Sequence, residues 1–464
     1  MTSQLYNLTF QKLQSVIRMA HIGGSVPEGR SKERYRRIGL TTFTSALAKG
    51  VTVLTALISV PLTVGYLGVE RYGLWMTITS VIAIMAFADL GIGNGLTNAI
   101  IKANAADDRE AAASHISSGF FMLSATAVFV IISFAISYSF IPWPAVFKVK
   151  SVLAGREAGP AIAIFITCFA ISMPFGTVQR VQIGYQEGFI SNLWQCAGSV
   201  LGLVGILIAI YFKAGLPWLV LAVAGAPVIV TAINWATEFL WLRPWLAPKW
   251  KQFHWEASCK LMATGAIFFV LQMFTLLGNA TDNLVLAHIL GPNSVAQYSV
   301  AQKMFSVALL AQFFIAPLWP AFGEALERSD HVWVRLALKR AIMLSFGITA
   351  VIALPLLAFG KSIVSIWAGA GLTPSSGLLL ALSAWTLLAS YGGIMSALLN
   401  NGSLLRKQLV FFAVASSMAL ILKFVLTLKI GVSGVAWATI IGYGLFYCIP
   451  AALLVHNTLK NDLS

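Results

Sequence analysis

The sequence predicts an all-α integral membrane protein of about twelve transmembrane helices arranged as two parallel-repeat lobes of six. Three observations carry that reading. Hydrophobic residues make up 58% of 464 positions and charged residues only 10%, too little polar surface for a chain that folds in water. Apolar runs of twenty or more residues recur along nearly the whole length, and each suffices to cross about 30 Å of hydrocarbon. Lipid cannot satisfy backbone donors and acceptors, so such runs must be helices, and the alternation of a barrel strand is absent.

Spans are expected near residues 39–66, 73–101, 113–141, 159–181, 188–212, 216–240, 261–289, 296–324, 338–360, 375–399, 408–429 and 432–457. Between them the Lys and Arg residues fall unequally, 21 on the side of the N-terminus against 7 on the other. By the positive-inside rule both termini are cytoplasmic. The net charge of +15 is therefore a topology signal, and no nucleic-acid partner is expected. The first polar residues contain no apolar signal core. The domain reading is a basic cytoplasmic segment 1–38, an N-lobe 39–242, a cytoplasmic linker 243–260, a C-lobe 261–457 and a tail 458–464.

The halves echo each other. Tyr66-Leu67-Gly68-Val-Glu-Arg-Tyr72 follows span one, and Ile289-Leu290-Gly291-Pro-Asn-Ser-Val-Ala-Gln-Tyr298 follows span seven. Lys213-Ala-Gly215 precedes span six as Lys429-Ile-Gly431 precedes span twelve. Six spans per half is an even number, so the halves share an orientation, an arrangement seen in alternating-access transporters.

Charges within the spans each need a partner or a watery cavity. At 1.5 Å per residue Lys49 lies about 15 Å deep in span one and Asp89 about 18 Å deep in span two. Consecutive helices are usually neighbours, so these two are expected to meet. Asp282 in span seven and Lys303 in span eight lie about 11 Å deep and are expected to pair likewise. Two readings stay open, ion pairs that orient helices or groups lining a cavity where Lys meets an anion and Asp takes up a proton. Asn94 and Asn98 share a helix face at i, i+4, as do Asn279 and Asn283. This polar stripe points to a hydrated substrate cavity, with polar glue between helices as the alternative. Lys423 in span eleven is expected to snorkel outward, and Arg180 to stand at the cytoplasmic entrance. Pro174-Phe-Gly176 and Pro317-Leu-Trp-Pro320 are candidate kinks.

Other chemistry finds no support. Cys168, Cys196, Cys259 and Cys448 form no ligand spacing, the six histidines are dispersed, and no phosphate loop is present. No metal, cofactor or catalytic residue is assigned, and the chain is not read as an enzyme.

Tyr66-Leu-Gly-Val-Glu-Arg-Tyr-Gly-Leu-Trp75 and Phe87-Ala-Asp-Leu-Gly-Ile-Gly-Asn-Gly-Leu96 resemble the polysaccharide-biosynthesis flippases. These are the O-antigen translocases (Wzx type) of the multidrug/oligosaccharidyl-lipid/polysaccharide exporter superfamily. Ile430-Gly-Val-Ser-Gly-Val-Ala-Trp-Ala438 resembles their entry to a late span, with Ile430 where an aromatic is common. The resemblance implies a MATE-like, V-shaped bundle in the bacterial inner membrane. It implies an undecaprenyl-diphosphate-linked oligosaccharide as substrate, flipped to the periplasmic leaflet for O-antigen, exopolysaccharide or capsule synthesis. A polysaccharide polymerase and a chain-length regulator are implied partners, and coupling to a H⁺ or Na⁺ gradient an implied energy source. In that reading Lys49 and Lys303 contact the diphosphate. A cation-coupled multidrug or small-solute antiporter of the same superfamily is the chief rival, and a non-transporting scaffold for glycan assembly is a third.

Overall fold

The computed structural model describes residues 27–85, 89–147, 151–290, 292–308, 315–367 and 372–461. The described residues are helical with short connections, and ten helices among them are long and apolar enough to cross a membrane. The chain forms two compact units, residues 1–265 and 266–464.

The first unit opens with α1 (Pro27–Met85), interrupted at Gly68, whose φ of 74° takes the chain out of helical geometry. Only glycine adopts that conformation without strain, so the Leu-Gly turn of the sequence is a true change of direction. It is followed by α2 (Ile92–Ala105), α3 (Arg109–Tyr138), the short α4 (Trp143–Val146), α5 (Val152–Phe175), α6 (Thr177–Gly184), α7 (Gly188–Tyr211) and α8 (Leu216–Ala236), which runs into a π-helical turn over Thr237–Leu242. Side chains at the connections start the next helix: Asp108 accepts from the Ala111 amide ahead of α3, and Ser151 from the Ala154 amide ahead of α5. The first candidate kink, Pro174-Phe-Gly176, falls where one helix gives way to the next. Gly176 separates α5 from α6, its amide still bonded to the Ser172 carbonyl at 2.8 Å.

The second unit takes the C-terminal part of α9 (Trp255–Leu290), then α10 (Pro292–Phe305), α11 (Leu318–Glu327), α12 (His331–Trp367), α13 (Ser376–Leu399), α14 (Leu404–Ile430), α15 (Ser433–Tyr443), a π-helical turn over Gly444–Cys448, and α16 (Ile449–Asn461). Pro317 stands at the start of α11, where its missing N–H does no harm.

Both units hold their cores between helices and turn large side chains such as Phe129, Ile136, Leu207, Val351 and Leu428 outward, as a lipid-facing surface requires. In the first unit Leu67, Leu74 and Trp75 pack with Ala158, Ile162, Phe165, Leu216 and Leu219. In the second, Leu286, Phe305, Ala353, Val364, Leu378 and Val435 do the same.

Among the described residues, spans two, four and eight are each divided between two helices, span four at Gly176. Span two is shared between the end of α1 and α2, with a turn over Asp89, Leu90 and Gly91. Leu90 and Gly91 both have positive φ, 49° and 75°. Span eight is shared between α10 and α11. The same ordinal helix is thus divided in each unit, and in the first Gly91 supplies the positive φ that the turn requires.

The expected linker 243–260 packs on the first unit. The boundary between units falls at Gly265, inside α9, and Arg243–Lys260 belongs wholly to the first unit. Leu246 is fully buried there and Arg243 is anchored by two carboxylates.

Candidate functional site

The break in span two brings three of the sequence-selected residues together. One Asp89 carboxylate oxygen accepts from the Gly91 amide at 2.9 Å and fixes the turn. The other lies 3.9 Å from the Arg180 guanidinium. Arg180, on α6, donates to Asn94 Oδ1 at 2.9 Å. A methyl group on Gly93 would fall 2.7 Å from Arg180 Nε, so the arginine lies directly across the first turn of α2. Its side chain keeps 34% of its surface open. Asn98, half-buried, follows one turn along the same face. The first turn of α2 is held against α9 by glycines: a Cβ on Gly95 would meet the Leu261 carbonyl oxygen at 2.6 Å, and one on Gly265 the Gly91 carbonyl at 2.9 Å. Such contact lets two backbones touch and needs small residues on both sides.

Both expected ion pairs are corrected. Asp89 faces Arg180 rather than Lys49. Lys49 is exposed on α1 with no acidic partner among the described residues. Asp282 faces Lys423 rather than Lys303, at 2.5 Å. Lys303 is exposed on α10, also without an acidic partner among the described residues. The direction a side chain takes around its helix is not legible in sequence spacing, and the actual neighbours come from non-consecutive helices.

The Asp282 site is closed. Tyr298 donates its hydroxyl to the carboxylate at 2.7 Å, and Lys423 also donates to Thr281 at 3.2 Å. Lys423 therefore does not snorkel: its side chain is 2% exposed and that of Asp282 9%. The pair ties α9, α10 and α14 together. Asn283 is exposed and accepts from Ser299 at 3.4 Å. The side chain of Asn279 lies outside the described residues.

Two further polar constellations escaped the sequence reading. In the turn after span one, Arg71 grips Glu157 through two bonds of 2.7 and 2.6 Å, and Tyr66 donates to the Ala214 carbonyl at 2.9 Å. At the other end of the unit Arg243 pairs with Glu187 at 2.6 Å and Glu238 at 2.8 Å. Its guanidinium lies 4.8 Å from the Tyr185 ring. Gln182 donates to Asn234 at 2.8 Å, and Ser191 donates to Gln182 at 2.7 Å. Burial opposes the Arg243 charge, yet the two carboxylates outweigh it and raise its pKa further. Burial likewise pushes the Tyr185 phenol up to about 12. Gln182 and Asn234 inside apolar runs were the available signal, since an amide there must find a partner.

Residues 40–326 match the family described as "Polysaccharide biosynthesis protein", well over half of the chain. The chain belongs to that family. A relative within reach of this assignment is the "Putative O-antigen transporter" of Salmonella typhimurium (strain LT2), 23% identical over 301 residues. That match covers 63% of this chain and 66% of the relative, so just under two thirds of the curated protein is represented here. Among solved structures, a crystal structure of MATE in complex with MaD3S superposes with a TM-score of 0.77 at 17% identity, covering 92% of this chain and 97% of that one. A MOP superfamily transporter from Pyrococcus furiosus Vc1 gives 0.76 at 16% identity, over 93% and 97%. The polysaccharide biosynthesis family member described here therefore has the all-α, MATE-like fold that its sequence predicts, and is a multi-pass membrane protein.

Proposed function

We propose that this protein is a transporter that moves an undecaprenyl-diphosphate-linked oligosaccharide across the bacterial cytoplasmic membrane for O-antigen or related polysaccharide synthesis. The observation that carries the reading is the state of Lys49 and Lys303. Each sits on a helix within an expected span, exposed, and without a carboxylate among the described residues. A bare ammonium in hydrocarbon costs at least about 2.5–3.5 kcal/mol, so each must face water or an anionic ligand. A diphosphate head group is such a ligand, and Arg180, open across the first turn of α2, is a third cation able to meet one. The carboxylates Asp89 and Asp282, by contrast, already face Arg180 and Lys423. That favours an anionic cargo over a drug antiporter, which needs a carboxylate free to take up a cation. Family membership supports the same choice, and a polymerase and chain-length regulator fit as partners downstream.

The test replaces Lys49 and Lys303 by Ala, singly and together, and follows glycan export in cells and flipping of the lipid-linked oligosaccharide in proteoliposomes. Loss of a charge-assisted contact of about 1.5–3 kcal/mol lowers transport roughly tenfold or more per site, and Lys→Arg at each position retains most of it. Export left intact in both single variants and the double variant, at normal protein level, overturns the proposal.

A further inference from the structure

The segment 243–254 joins two spanning helices, one ending at Leu242 and the other beginning at Trp255. Twelve residues of ordered chain between two spans must lie at the level where those spans leave the hydrocarbon. The segment is firmly held there. Two 3₁₀ turns, Pro244–Leu246 and Trp250–Gln252, shape it. The Lys249 amide donates to Ser117 Oγ at 3.1 Å and the His254 amide to Ser118 Oγ at 3.3 Å, both on α3. Trp250 packs edge-on against Phe121 at 4.9 Å and stacks on Phe253 at 5.3 Å.

A segment pinned this well could have buried its aromatics, yet it turns them out. Trp250 is 70% exposed and Trp255 71%. Lys249 and Lys251, exposed, flank Trp250 on either side. Glu256 is the one acidic residue in 243–260, and Lys260 already pairs with it at 2.7 Å. The outward face is therefore flat indole rings beside two cations that no carboxylate among the described residues answers. Indole is the side chain most at home in the head-group layer, where its ring is shielded and its N–H is wet. Lysine at that level is drawn to anionic lipid.

We propose that the Lys249-Trp250-Lys251 turn, with Trp255, is a binding surface for the anionic phospholipid head groups of the adjoining leaflet. It holds that end of the first unit at a fixed depth and gathers acidic lipid around it. The surface is independent of what the protein transports.

The test uses the full-length protein reconstituted in vesicles of phosphatidylcholine alone or mixed with phosphatidylglycerol. Tryptophan emission is compared between wild type and the Trp250→Phe/Trp255→Phe variant, so that the difference reports these two rings. The expected difference emission is quenched by lipid brominated near the head group and shielded from aqueous iodide. In parallel, Lys249→Gln/Lys251→Gln is compared with wild type for phosphatidylglycerol retained in native mass spectra. At about fivefold per lysine near a charged surface, that variant loses the preference for phosphatidylglycerol by about tenfold or more while its far-ultraviolet circular dichroism stays unchanged. Difference emission open to iodide in both vesicle types, or a lipid preference unaltered by the double lysine change, overturns the proposal.

Discussion

Lys423 on α14 and Asp282 on α9 form an ion pair at 2.5 Å, closed off from solvent and completed by the Tyr298 hydroxyl. Removing one partner leaves the other charged and buried. Lys423→Ala or Asp282→Ala is therefore expected to cost about 3–5 kcal/mol, seen as a large fall in the thermal unfolding midpoint in detergent. Replacing both by apolar groups of similar size, Lys423→Met with Asp282→Leu, recovers most of the loss. If the double variant also exports glycan normally, the pair serves architecture rather than coupling.

Arg243 holds two carboxylates, Glu187 and Glu238, at one end of the first unit. Arg243→Ala strands both, and the expected destabilisation is again about 3–5 kcal/mol. Arg243→Lys fails to rescue it fully, because a single ammonium cannot reproduce the forked geometry that reaches both acids. Thermal melts of the three proteins at equal detergent concentration check the order.

Tyr185 lies beside that cluster, its phenol raised from an ordinary 10.0 to about 12. The folded state thus resists ionisation that the unfolded chain accepts, so stability is full below pH 10 and falls as pH rises toward 12. Tyr185→Phe is expected to flatten the decline over that interval, measured as unfolding midpoint against pH.

Gly95 and Gly265 mark the contact of α2 with α9. Because a Cβ on Gly95 would meet the Leu261 carbonyl at 2.6 Å, even Gly95→Ala forces the helices apart. A loss of about 1–3 kcal/mol is expected, as for other overpacked sites, whereas Gly39→Ala, where a Cβ meets nothing within 4 Å, leaves the midpoint unchanged or raised.

Much of this was readable in the sequence because it depends on quantities a sequence contains. Run length and charge scarcity dictate spanning helices, and Leu67-Gly68 marked the turn that Gly68 makes. Asn94 and Asp89 stand out as polar groups in apolar surroundings and Arg180 as a cation expected at the cytoplasmic entrance, and the fold brings the three together. What failed required three-dimensional information. The partners of Asp89 and Asp282 come from α6 and α14, far along the chain, and nothing in local spacing names them. Spans two, four and eight carry the apolar content of whole spans, so only their glycines and prolines signal a bend, and the composition of the linker 243–260 does not show that it packs on the first unit.

Asp89 carries a practical consequence. One of its oxygens holds the Gly91 amide, so the carboxylate steers the chain at the break as well as balancing Arg180. An alanine at this position would erase both roles at once, and a null phenotype would report misdirected backbone as readily as lost charge. Asp89→Asn keeps the oxygen that the Gly91 amide needs and deletes only the charge. In any genetic screen of this protein, the asparagine allele is the one whose phenotype speaks about electrostatics.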